Sequence, residues 1–375
     1  MGGNALRRIY LFFVLFSLAA CMDRSHTLIL PAALDIGTIH KVFVATHREH
    51  DDKGWFSAQR SDAVNYTEIA ISVPPDHKRG DISVGYKDPD PQKDFAVAAR
   101  QDLDGRDSFR RDLARHIRAK PATEREVVVY VHGYNNSFLD GVFRSAQLMH
   151  DFGLPGTSVH YSWPSAANPL GYTYDRDSVL FARDGFEQLL RDVRAAGPSR
   201  IVLIGHSLGT MLMMETLRQI EIGNPGWTKQ NLSGVVLMSP DLDVELFKTQ
   251  ASRFKSLPQP FAIFVSERDK ALMLSARING VSARLGNLTS AEELGDYPVT
   301  LVDVTEFTKE AATSHFTAGT SPTLIALLRQ SADLDRAFQR DTAGKTGLMS
   351  GTVLTVRNAT TLILSPHLVM QNASN

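Results

Sequence analysis

Apolar and polar residues follow two different periods along most of this chain. Between residues 107 and 304, short continuous apolar runs alternate with segments whose apolar residues are spaced three or four positions apart. The runs predict buried strands, and the spaced segments predict amphipathic helices. The predicted strands cover residues 127–131, 158–163, 201–205, 234–239, 261–266 and 299–304, and the predicted helices cover 107–120, 138–153, 176–195, 208–221 and a stretch that starts near 270. Because strands that alternate with helices pair in parallel through right-handed crossovers, the predicted fold class is α/β, a doubly wound and mostly parallel sheet with helices on both faces.

Strand-like alternation also occurs on both sides of this region. Residues 41–48 and 66–74 carry β-branched and aromatic residues in alternation, separated by a charged loop. Residues 331–375 begin with a polar stretch and then contain GTVLTVRNATTLIL, whose alternation predicts one or two further strands. We therefore predict a main domain at 37–330 and a C-terminal extension at 331–375 of unknown role.

The N-terminus has the composition of an export signal. Two arginines precede an apolar run at 9–20, which is too short to span a bilayer because a spanning helix needs about 20 apolar residues. The run ends in Leu-Ala-Ala-Cys, which resembles the lipobox of bacterial lipoproteins, in which the cysteine is lipidated and becomes the new N-terminus. We predict a lipoprotein signal peptide at 1–21 with Cys21 lipidated, followed by a tether at 22–36. The alternative is an incidental cysteine in an ordinary signal peptide.

Composition and charge indicate where the protein is located and which partners it does not bind. Cys21 is the only cysteine of the chain, so the mature protein has no thiol left for a disulfide or a thiolate metal site once Cys21 is acylated. The formal net charge is -1 and there is no long run of lysine and arginine, which argues against a nucleic-acid partner. By resemblance to Gram-negative lipoproteins, Met22 rather than aspartate after the cysteine indicates a lipid-anchored protein of the bacterial cell envelope, at the outer membrane and facing the periplasm.

The strongest chemical signal is the pentapeptide Gly205-His206-Ser207-Leu208-Gly209, which lies between a predicted strand and a predicted helix. This G-x-S-x-G pattern is typical of a nucleophile elbow, in which a serine occupies a strained turn. The turn presses the residues two positions before and after the serine against adjacent backbone, so both must be small. We predict that Ser207 is a nucleophile, that Gly205 and Gly209 support its turn, and that the helix start provides N–H groups where negative charge develops. The alternative is a structural Gly-Ser turn.

A second glycine-containing loop follows the strand at 127–131, where the apolar run stops at His132-Gly133-Tyr134. An oxyanion hole behind such an elbow needs one N–H from the residue after the nucleophile, here Leu208, and another from the loop after an earlier strand. We predict that the backbone N–H of Tyr134 is the second donor and that Gly133 allows the close approach. His132 is predicted to have a structural role, with hydrogen bonds inside its loop.

A serine hydroxyl becomes a good nucleophile only when a base accepts its proton. In sheets that carry such an elbow, an acid and then a histidine follow the serine along the chain. Only His315 and His367 lie beyond Ser207. Because His315 follows the strand at 299–304, where such sheets place the base, we predict His315 as the base. His367 lies in the tail, which has no assigned role.

Three aspartates compete for the role of the acid. Asp269 lies just past the strand at 261–266, at the sheet edge where active sites of parallel sheets lie. Asp241 and Asp243 follow the preceding strand in the same way. Acidic residues at strand ends are also often no more than helix N-caps. We predict Asp269 as the acid, with Asp243 as the second choice.

Several blocks of the sequence together resemble the DUF900 group of α/β-hydrolases, whose members are described as esterase- or lipase-like. The blocks extend over residues 40–320 and read VFVAT, VYVHGYNNSFLDGVFRSAQLMHDFGLPG, YSWPS, YDRDS, IGHSLG, PDLDVELF and SERDKAL. The resemblance implies an α/β-hydrolase fold with Ser207 as nucleophile, Asp269 as acid and His315 as base. It implies no particular substrate, and residues 331–375 lie outside it.

Together these residues predict a serine hydrolase, carboxylesterase- or lipase-like, that cleaves a small-molecule or lipid ester through an acyl-enzyme without cofactor or metal. Residues 163–174 are placed to wall or cap the acyl pocket, or they form only a connection rich in proline and glycine. The alternative function is a catalytically inactive envelope lipoprotein that uses the fold as a binding scaffold. A metal-dependent hydrolase is not favoured, because His40 and residues 47–50 form no H-E-x-x-H pattern and are predicted to lie at the surface.

Overall fold

A computed structural model describes residues 24–280, 284–295, 297–330, 352–356 and 359–363, which form one 11-stranded sheet with helices on both faces. In chain order the strands are β1 (Thr38–His50), β2 (Phe56–Val73), β3 (Ala96–Leu103), β4 (Glu126–Val131), β5 (Thr157–Ser162), β6 (Arg200–His206), β7 (Gly234–Met238), β8 (Phe261–Val265), β9 (Thr300–Asp303), β10 (Thr352–Val356) and β11 (Ala359–Ile363). The α-helices are α1 (Gly105–Ala119), α2 (Phe138–Phe152), α3 (Tyr172–Phe181), α4 (Arg183–Ala195), α5 (Leu208–Gly223), α6 (Trp227–Asn231), α7 (Val244–Ala251), α8 (Lys270–Ile278), α9 (Thr317–Thr320) and α10 (Pro322–Gln330).

The sheet is parallel over most of its width. The strand order is β10-β11-β9-β8-β7-β6-β4-β5-β1-β2-β3. All neighbours from β11 to β1 pair in parallel, whereas β10, β2 and β3 are antiparallel outer strands. The predicted doubly wound, mostly parallel α/β fold is therefore confirmed. The chain order reverses between β4 and β6, and ligands of such sheets bind at the carboxyl ends of strands at this kind of position.

Both faces of the central strands are buried. In β4, the side chains of Val127, Val129 and Val131 belong to one apolar cluster, and those of Val128 and Tyr130 belong to another. Helices α1, α4 and α5 contribute to the first cluster, and α2 and α10 contribute to the second. This two-sided burial explains why the central strands read as continuous apolar runs rather than as alternating ones.

Two local predictions need correction. Strand β3 (Ala96–Leu103) was not predicted, because its alanines and polar residues have weak strand propensity and only its pairing with β2 at the sheet edge defines it. The predicted helix at 176–195 is two helices, of which the first begins at Tyr172. They meet at Ala182, whose carbonyl oxygen accepts a hydrogen bond of 2.7 Å from the hydroxyl of Tyr161.

Segments predicted to lie outside the main domain pack on the sheet. Residues 24–36 were predicted to be part of a tether, but Ile29 forms a bridge with Val97 of β3 and Ala33 is fully buried, because this segment is apolar enough to cover the sheet edge. At the other end, the predicted strands of the C-terminal extension are found as β10 and β11, which continue the sheet beside β9. The side chain of Leu362 is buried there.

The predicted signal peptide at 1–21 and the lipidated Cys21 lie outside the described residues. Lipidation of Cys21 therefore stays a prediction. Within the described residues, none of the helices has the length and the apolar composition needed to cross a bilayer.

Candidate active site

Ser207 occupies a strained turn at the carboxyl end of β6. Its backbone angles are φ 51° and ψ -127°, and α5 begins at the next residue, Leu208. A positive φ is uncommon for a residue that carries a Cβ atom. The N–H of Ser207 donates to the carbonyl oxygen of Met238 in the neighbouring strand β7 over 3.1 Å, which anchors the turn to the sheet. The local geometry is therefore that of a strand, a strained turn and a helix.

Close contacts explain the three glycines around this turn. A Cβ atom on Gly209 would lie 2.3 Å from the carbonyl oxygen of His132, and one on Gly133 would lie 2.8 Å from the Cβ of Ser207. A Cβ on Gly205 would lie 2.3 Å from the sulfur of a methionine side chain in α5. The atom nearest to this Cβ position thus belongs to a side chain, and the backbone Cα of Thr210 lies at 3.4 Å. Gly209 and Gly133 let the loop after β4 lie directly against the turn of Ser207.

The structure brings together the three residues predicted as nucleophile, base and acid. The Oγ of Ser207 lies 2.8 Å from Nε2 of His315, and Nδ1 of His315 lies 2.8 Å from Oδ2 of Asp269. Ser207 and Asp269 are buried, whereas the side chain of His315 is 21% exposed. The imidazole is therefore held between a hydroxyl and a carboxylate while part of its ring remains accessible.

Asp269 also caps a helix. Its Oδ1 accepts hydrogen bonds of 3.1 Å from the backbone N–H groups of Ala271 and Leu272, in the first turn of α8. The carboxylate is thus fixed by backbone donors on one side and by His315 on the other. This one side chain thus caps α8 and also contacts His315, the predicted base.

Asp241 and Asp243 have other partners. Asp243 caps α7, with its Oδ1 accepting from the N–H of Leu246 at 3.0 Å. Asp241 is buried, forms an ion pair of 2.9 Å with Arg284 and accepts a hydrogen bond from the hydroxyl of Tyr172. Of the three aspartates, only Asp269 contacts His315 in the described part of the chain.

The two predicted oxyanion donors lie on the segments that meet at Ser207. Leu208 is the first residue of α5, so its N–H has no acceptor within the helix. Tyr134 follows Gly133 in the loop that touches the elbow. Within the described ranges, the N–H of Tyr134 has no hydrogen-bond acceptor. Both N–H groups can therefore donate to a bound group.

The asparagines after Tyr134 hold this loop in place. Asn135 has a φ of 56°, and its N–H donates to Oδ2 of Asp175 over 3.2 Å. The N–H of Asn136 donates to Oγ of Ser165 over 3.2 Å, and its side-chain amide donates to the carbonyl oxygen of Tyr134 over 2.8 Å. Sequence reasoning missed these anchors. Asp175 lies 40 residues after Asn135 and Ser165 lies 29 residues after Asn136, so only the fold brings them together.

Two buried charged side chains, Arg48 and Asp175, support the same loop. Arg48 is 1% exposed, and its Nη2 donates to the carbonyl oxygen of Asn136 over 2.9 Å. Burial lowers the pKa of Arg48 to about 10, so it stays protonated at neutral pH. Burial raises the pKa of Asp175, and the nearby positive charge of Arg48 acts against that rise. Each charge therefore offsets part of the desolvation of the other.

His132 has a structural environment, in agreement with its prediction. It is fully buried, its Nδ1 lies 2.9 Å from the carbonyl oxygen of Gly133, and its Nε2 lies 3.0 Å from that of Trp163. Its ring stacks on the indole of Trp163, whose Nε1 donates to the carbonyl oxygen of His132 over 2.7 Å. Burial lowers the pKa of His132 well below its ordinary value, so the ring is neutral.

His206 has a position that sequence reasoning missed. Its ring packs on Phe316 with 4.3 Å between ring centroids, and its Nε2 lies 3.1 Å from the carbonyl oxygen of His315. His206 was considered only as the variable residue of the G-x-S-x-G pattern. The sequence carried part of the signal for this contact, because the residue before a nucleophile lies at the carboxyl end of its strand and faces a neighbouring loop.

The segment at 163–174 lies beside the loop after β4. The hydroxyl of Tyr134 donates to the carbonyl oxygen of Pro169 over 2.5 Å, and the rings of Tyr134 and Tyr172 meet edge to face. Leu170, which follows Pro169 in the chain, is 92% exposed. The segment therefore borders the candidate site, and its role as a wall of an acyl pocket stays a prediction.

Residues 105–331, more than half of the chain, match the family described as alpha/beta hydrolase of unknown function (DUF900), and no curated protein matches the chain. Among solved structures, Aspergillus fumigatus lipase B is 13% identical with a TM-score of 0.28, over 44% of this chain and 43% of that chain. A hyperthermophilic esterase from the archaeon Pyrobaculum calidifontis is 12% identical with a TM-score of 0.25, over 67% of this chain and 76% of the esterase. Phospholipase PlaB from Legionella pneumophila is 15% identical with a TM-score of 0.19, over 52% of this chain and 44% of PlaB. This chain therefore spans less than half the length of lipase B and of PlaB. With its doubly wound sheet and its family match over residues 105–331, the chain belongs to the DUF900 family of α/β-hydrolases.

Proposed function

We propose that this protein is a serine hydrolase, carboxylesterase- or lipase-like, that cleaves acyl esters through an acyl-enzyme intermediate. One observation carries the proposal: His315 lies 2.8 Å from Ser207 through Nε2 and 2.8 Å from Asp269 through Nδ1. A serine proton can move to an imidazole held in this way, because the carboxylate fixes the tautomer and stabilises the imidazolium that forms.

In the proposed reaction, the Oγ of Ser207 attacks the acyl carbonyl carbon while its proton passes to Nε2 of His315. The imidazolium then gives that proton to the alcohol oxygen as the bond between acyl carbon and alcohol breaks. A water molecule next attacks the acyl-enzyme, with His315 as its base, and releases the acid and Ser207. These steps need only side chains and backbone N–H groups of this chain, so we propose a reaction without cofactor or metal.

The negative charge on the carbonyl oxygen would be stabilised by the N–H groups of Leu208 and Tyr134. Two observations support this assignment. Both residues lie at the turn of Ser207, and the loop after β4 that carries Tyr134 is anchored. Removing one such donor typically costs about 3 kcal/mol in the transition state. We infer an ester rather than an amide substrate, because an amide leaving group demands more complete protonation.

We further propose that the protein acts at the bacterial cell envelope, anchored through a lipidated Cys21 at the outer membrane and facing the periplasm. The arginines, the apolar run and the Leu-Ala-Ala-Cys sequence support this location. Mass spectrometry of the N-terminal peptide from membrane fractions should show acyl chains on Cys21, and a Cys21→Ser variant should lose them. An uncleaved N-terminus without acyl chains would contradict the proposed anchor.

Covalent labelling tests the proposed chemistry without knowledge of the substrate. Purified protein is treated with a fluorophosphonate and its intact mass is measured beside Ser207→Ala and His315→Ala. We expect one adduct on Ser207, none with Ser207→Ala and strongly slowed labelling with His315→Ala. Ser252→Ala is the matched control, because Ser252 is exposed and its hydroxyl contacts only a helix carbonyl in the described structure.

No adduct on folded wild-type protein would overturn the proposed function and would favour the alternative of an inactive binding scaffold. Circular dichroism of each variant checks that the fold is retained. If the adduct forms, p-nitrophenyl esters of graded chain length then determine which acyl groups are released.

A further inference from the structure

A second cluster of ionisable side chains lies apart from the candidate triad. His40 is on β1, His77 is in the loop after β2, and His150 and Asp151 are near the end of α2. One ligand atom from each of His77, His150 and Asp151 lies within 4.8 Å of the others, and Nε2 of His40 lies 3.2 Å from Nδ1 of His150. His40 was predicted to lie at the surface, but it is half-buried because it packs edge to face on His150.

We propose that His77, His150 and Asp151 together bind one zinc ion. Two imidazoles and one carboxylate, with a water molecule as the fourth ligand, are a donor set that suits Zn²⁺ in tetrahedral coordination. At zinc–ligand distances of about 2.0–2.2 Å, two ligand atoms of a tetrahedral site are about 3.3–3.6 Å apart. The three ligand atoms lie within 4.8 Å of one another, so small shifts of the side chains bring them to this spacing. His40 contacts His150 at the edge of the site.

Asp151 is held in the way that metal ligands usually are. Its side chain is fully buried, and its Oδ2 accepts hydrogen bonds from the N–H of Gly80 at 2.8 Å and from Nε2 of Gln147 at 2.5 Å. Its Oδ1 faces Nε2 of His77 at 2.6 Å. Hydrogen bonds to the outer atom of a ligand orient the inner atom. On binding, Zn²⁺ takes the place of the proton between Nε2 of His77 and Asp151, and the ring of His77 keeps its proton on Nδ1.

Positive charges near the cluster act against a hard cation. Lys120 lies near His40, and Arg329 lies near His150. These charges repel cations that are held mainly by electrostatic attraction, such as Mg²⁺ and Ca²⁺. The site therefore favours a metal that coordinates imidazole strongly.

The two groups that hold Asp151 also contact α9, the short helix next to the candidate base. Nε2 of Gln147 donates to the carbonyl oxygen of Gly319 over 3.1 Å. Gly80 packs so closely that a Cβ on it would lie 2.4 Å from the carbonyl oxygen of Thr320. Bound zinc should therefore stabilise the loop after β2 and α9 together, and this inference does not depend on the proposed function.

Zinc binding by the purified full chain, without a histidine tag and freed of metal with EDTA, tests the proposal. Calorimetric titration with ZnCl₂ should show one ion per chain, and the added zinc should raise the thermal unfolding temperature. MgCl₂ should do neither. Co²⁺ should give visible absorption bands of a four-coordinate site when it is added in place of zinc.

Variants locate the bound ion. His77→Ala and His150→Ala should each raise the Kd for zinc at least tenfold. His50→Ala is the matched control, because His50 is exposed on the same strand as His40, and its Kd should equal that of the wild type. His77→Ala leaves the buried carboxylate of Asp151 without its imidazole partner, so His150→Gln serves as the second variant if His77→Ala does not fold.

A folded wild-type protein that does not bind zinc overturns the proposal, as does an equal Kd for the wild type and the folded cluster variants. Labelling of Ser207 by a fluorophosphonate is measured on the same samples. Labelling of Ser207 without zinc binding contradicts the proposed zinc site and leaves the proposed function in place. Zinc binding without labelling of Ser207 leaves the zinc site in place and overturns the proposed function.

Discussion

His206 donates a hydrogen bond from Nε2 to the backbone carbonyl oxygen of His315 over 3.1 Å. The residue before the candidate nucleophile thus holds the main chain of the candidate base, although the two histidines are far apart in sequence. Burial lowers the pKa of His206 well below its ordinary value, so its ring is neutral and its single ring proton lies on Nε2, opposite the carbonyl oxygen. We infer that His206 positions the base without taking part in proton transfer.

His206→Phe should slow acyl transfer with little change in substrate binding. The substitution keeps an aromatic ring against Phe316 but removes the donor to His315. Loss of a net hydrogen bond of about 1 kcal/mol corresponds to a decrease in kcat of roughly fivefold. Steady-state kinetics with a p-nitrophenyl ester should show the decrease in kcat with KM nearly unchanged. His206→Gln, whose side-chain amide can donate, should recover part of the rate, and equal kcat values for His206→Phe and the wild type would exclude the positioning role.

Asp269→Asn should separate catalysis from stability at one position. Asparagine caps helices as well as aspartate does, so the free energy of unfolding should change little. Its amide cannot stabilise the imidazolium of His315 or fix its tautomer, and comparable changes lower kcat by about 10⁴-fold. The rate of fluorophosphonate labelling and urea unfolding, measured on the same preparation, check the two parts of this prediction.

Asp243→Ala is the converse experiment. Loss of the cap on α7 should lower the free energy of unfolding by about 1 kcal/mol. The labelling rate of Ser207 should stay at the wild-type value, because Asp243 does not contact His315. If Asp243→Asn abolishes labelling and Asp269→Asn does not, the acid has been assigned to the wrong residue.

Gly209→Ala should damage both the fold and the candidate site. Its Cβ would lie 2.3 Å from the carbonyl oxygen of His132, so the loop after β4 must move away from the elbow. Overpacking of this kind costs about 1–3 kcal/mol, and the displaced loop carries the proposed donor Tyr134. Urea unfolding and labelling rates should both decline. Gly223→Ala at the other end of α5 is the control, since nothing lies within 4 Å of its Cβ position.

His160 should make the fold sensitive to acid. It is fully buried, its Nδ1 lies 3.0 Å from the carbonyl oxygen of Tyr130, and burial lowers its pKa to about 3. The unfolded chain therefore binds a proton on His160 below its ordinary pKa while the folded chain does not, so the free energy of unfolding falls as the pH falls from about 6.5. Between pH 7 and pH 5 this histidine should account for a loss on the order of 2 kcal/mol.

His160→Asn removes this titration and retains a donor toward Tyr130. Urea unfolding at pH 7 and pH 5 should show a smaller pH-dependent loss for the variant than for the wild type. The difference between the two pH values is the decisive quantity, because the smaller side chain also lowers stability at both. The same pH dependence in both proteins would show that His160 does not cause the acid sensitivity.

The elbow was predictable because its chemistry is local. A strand, a glycine-flanked serine and a helix follow one another directly in the sequence, and the structure has them at β6, Ser207 and α5. The parallel sheet was predictable for a similar reason, because its central strands are buried on both faces and read as apolar runs. The weak edge strand β3 has no such pattern and was missed.

Chain order proposed His315 and favoured Asp269, but it left Asp243 as the second choice. Both aspartates follow a parallel strand and both cap the next helix, so their local sequences carry the same signal. Only the packing of the short 3-10 helix Ser314–Phe316 against α8 brings the imidazole of His315 to Asp269.

The sequence by itself therefore determined the fold class, the strained serine and the glycines beside it, since each depends on neighbours within a few residues. The tertiary structure decided which aspartate contacts His315, how Asp175 and Arg48 hold the loop of Tyr134, and that His77, His150 and Asp151 share one cluster. Those relationships join residues from different strands and loops, and the distances between such residues are set by sheet order and packing rather than by spacing along the chain.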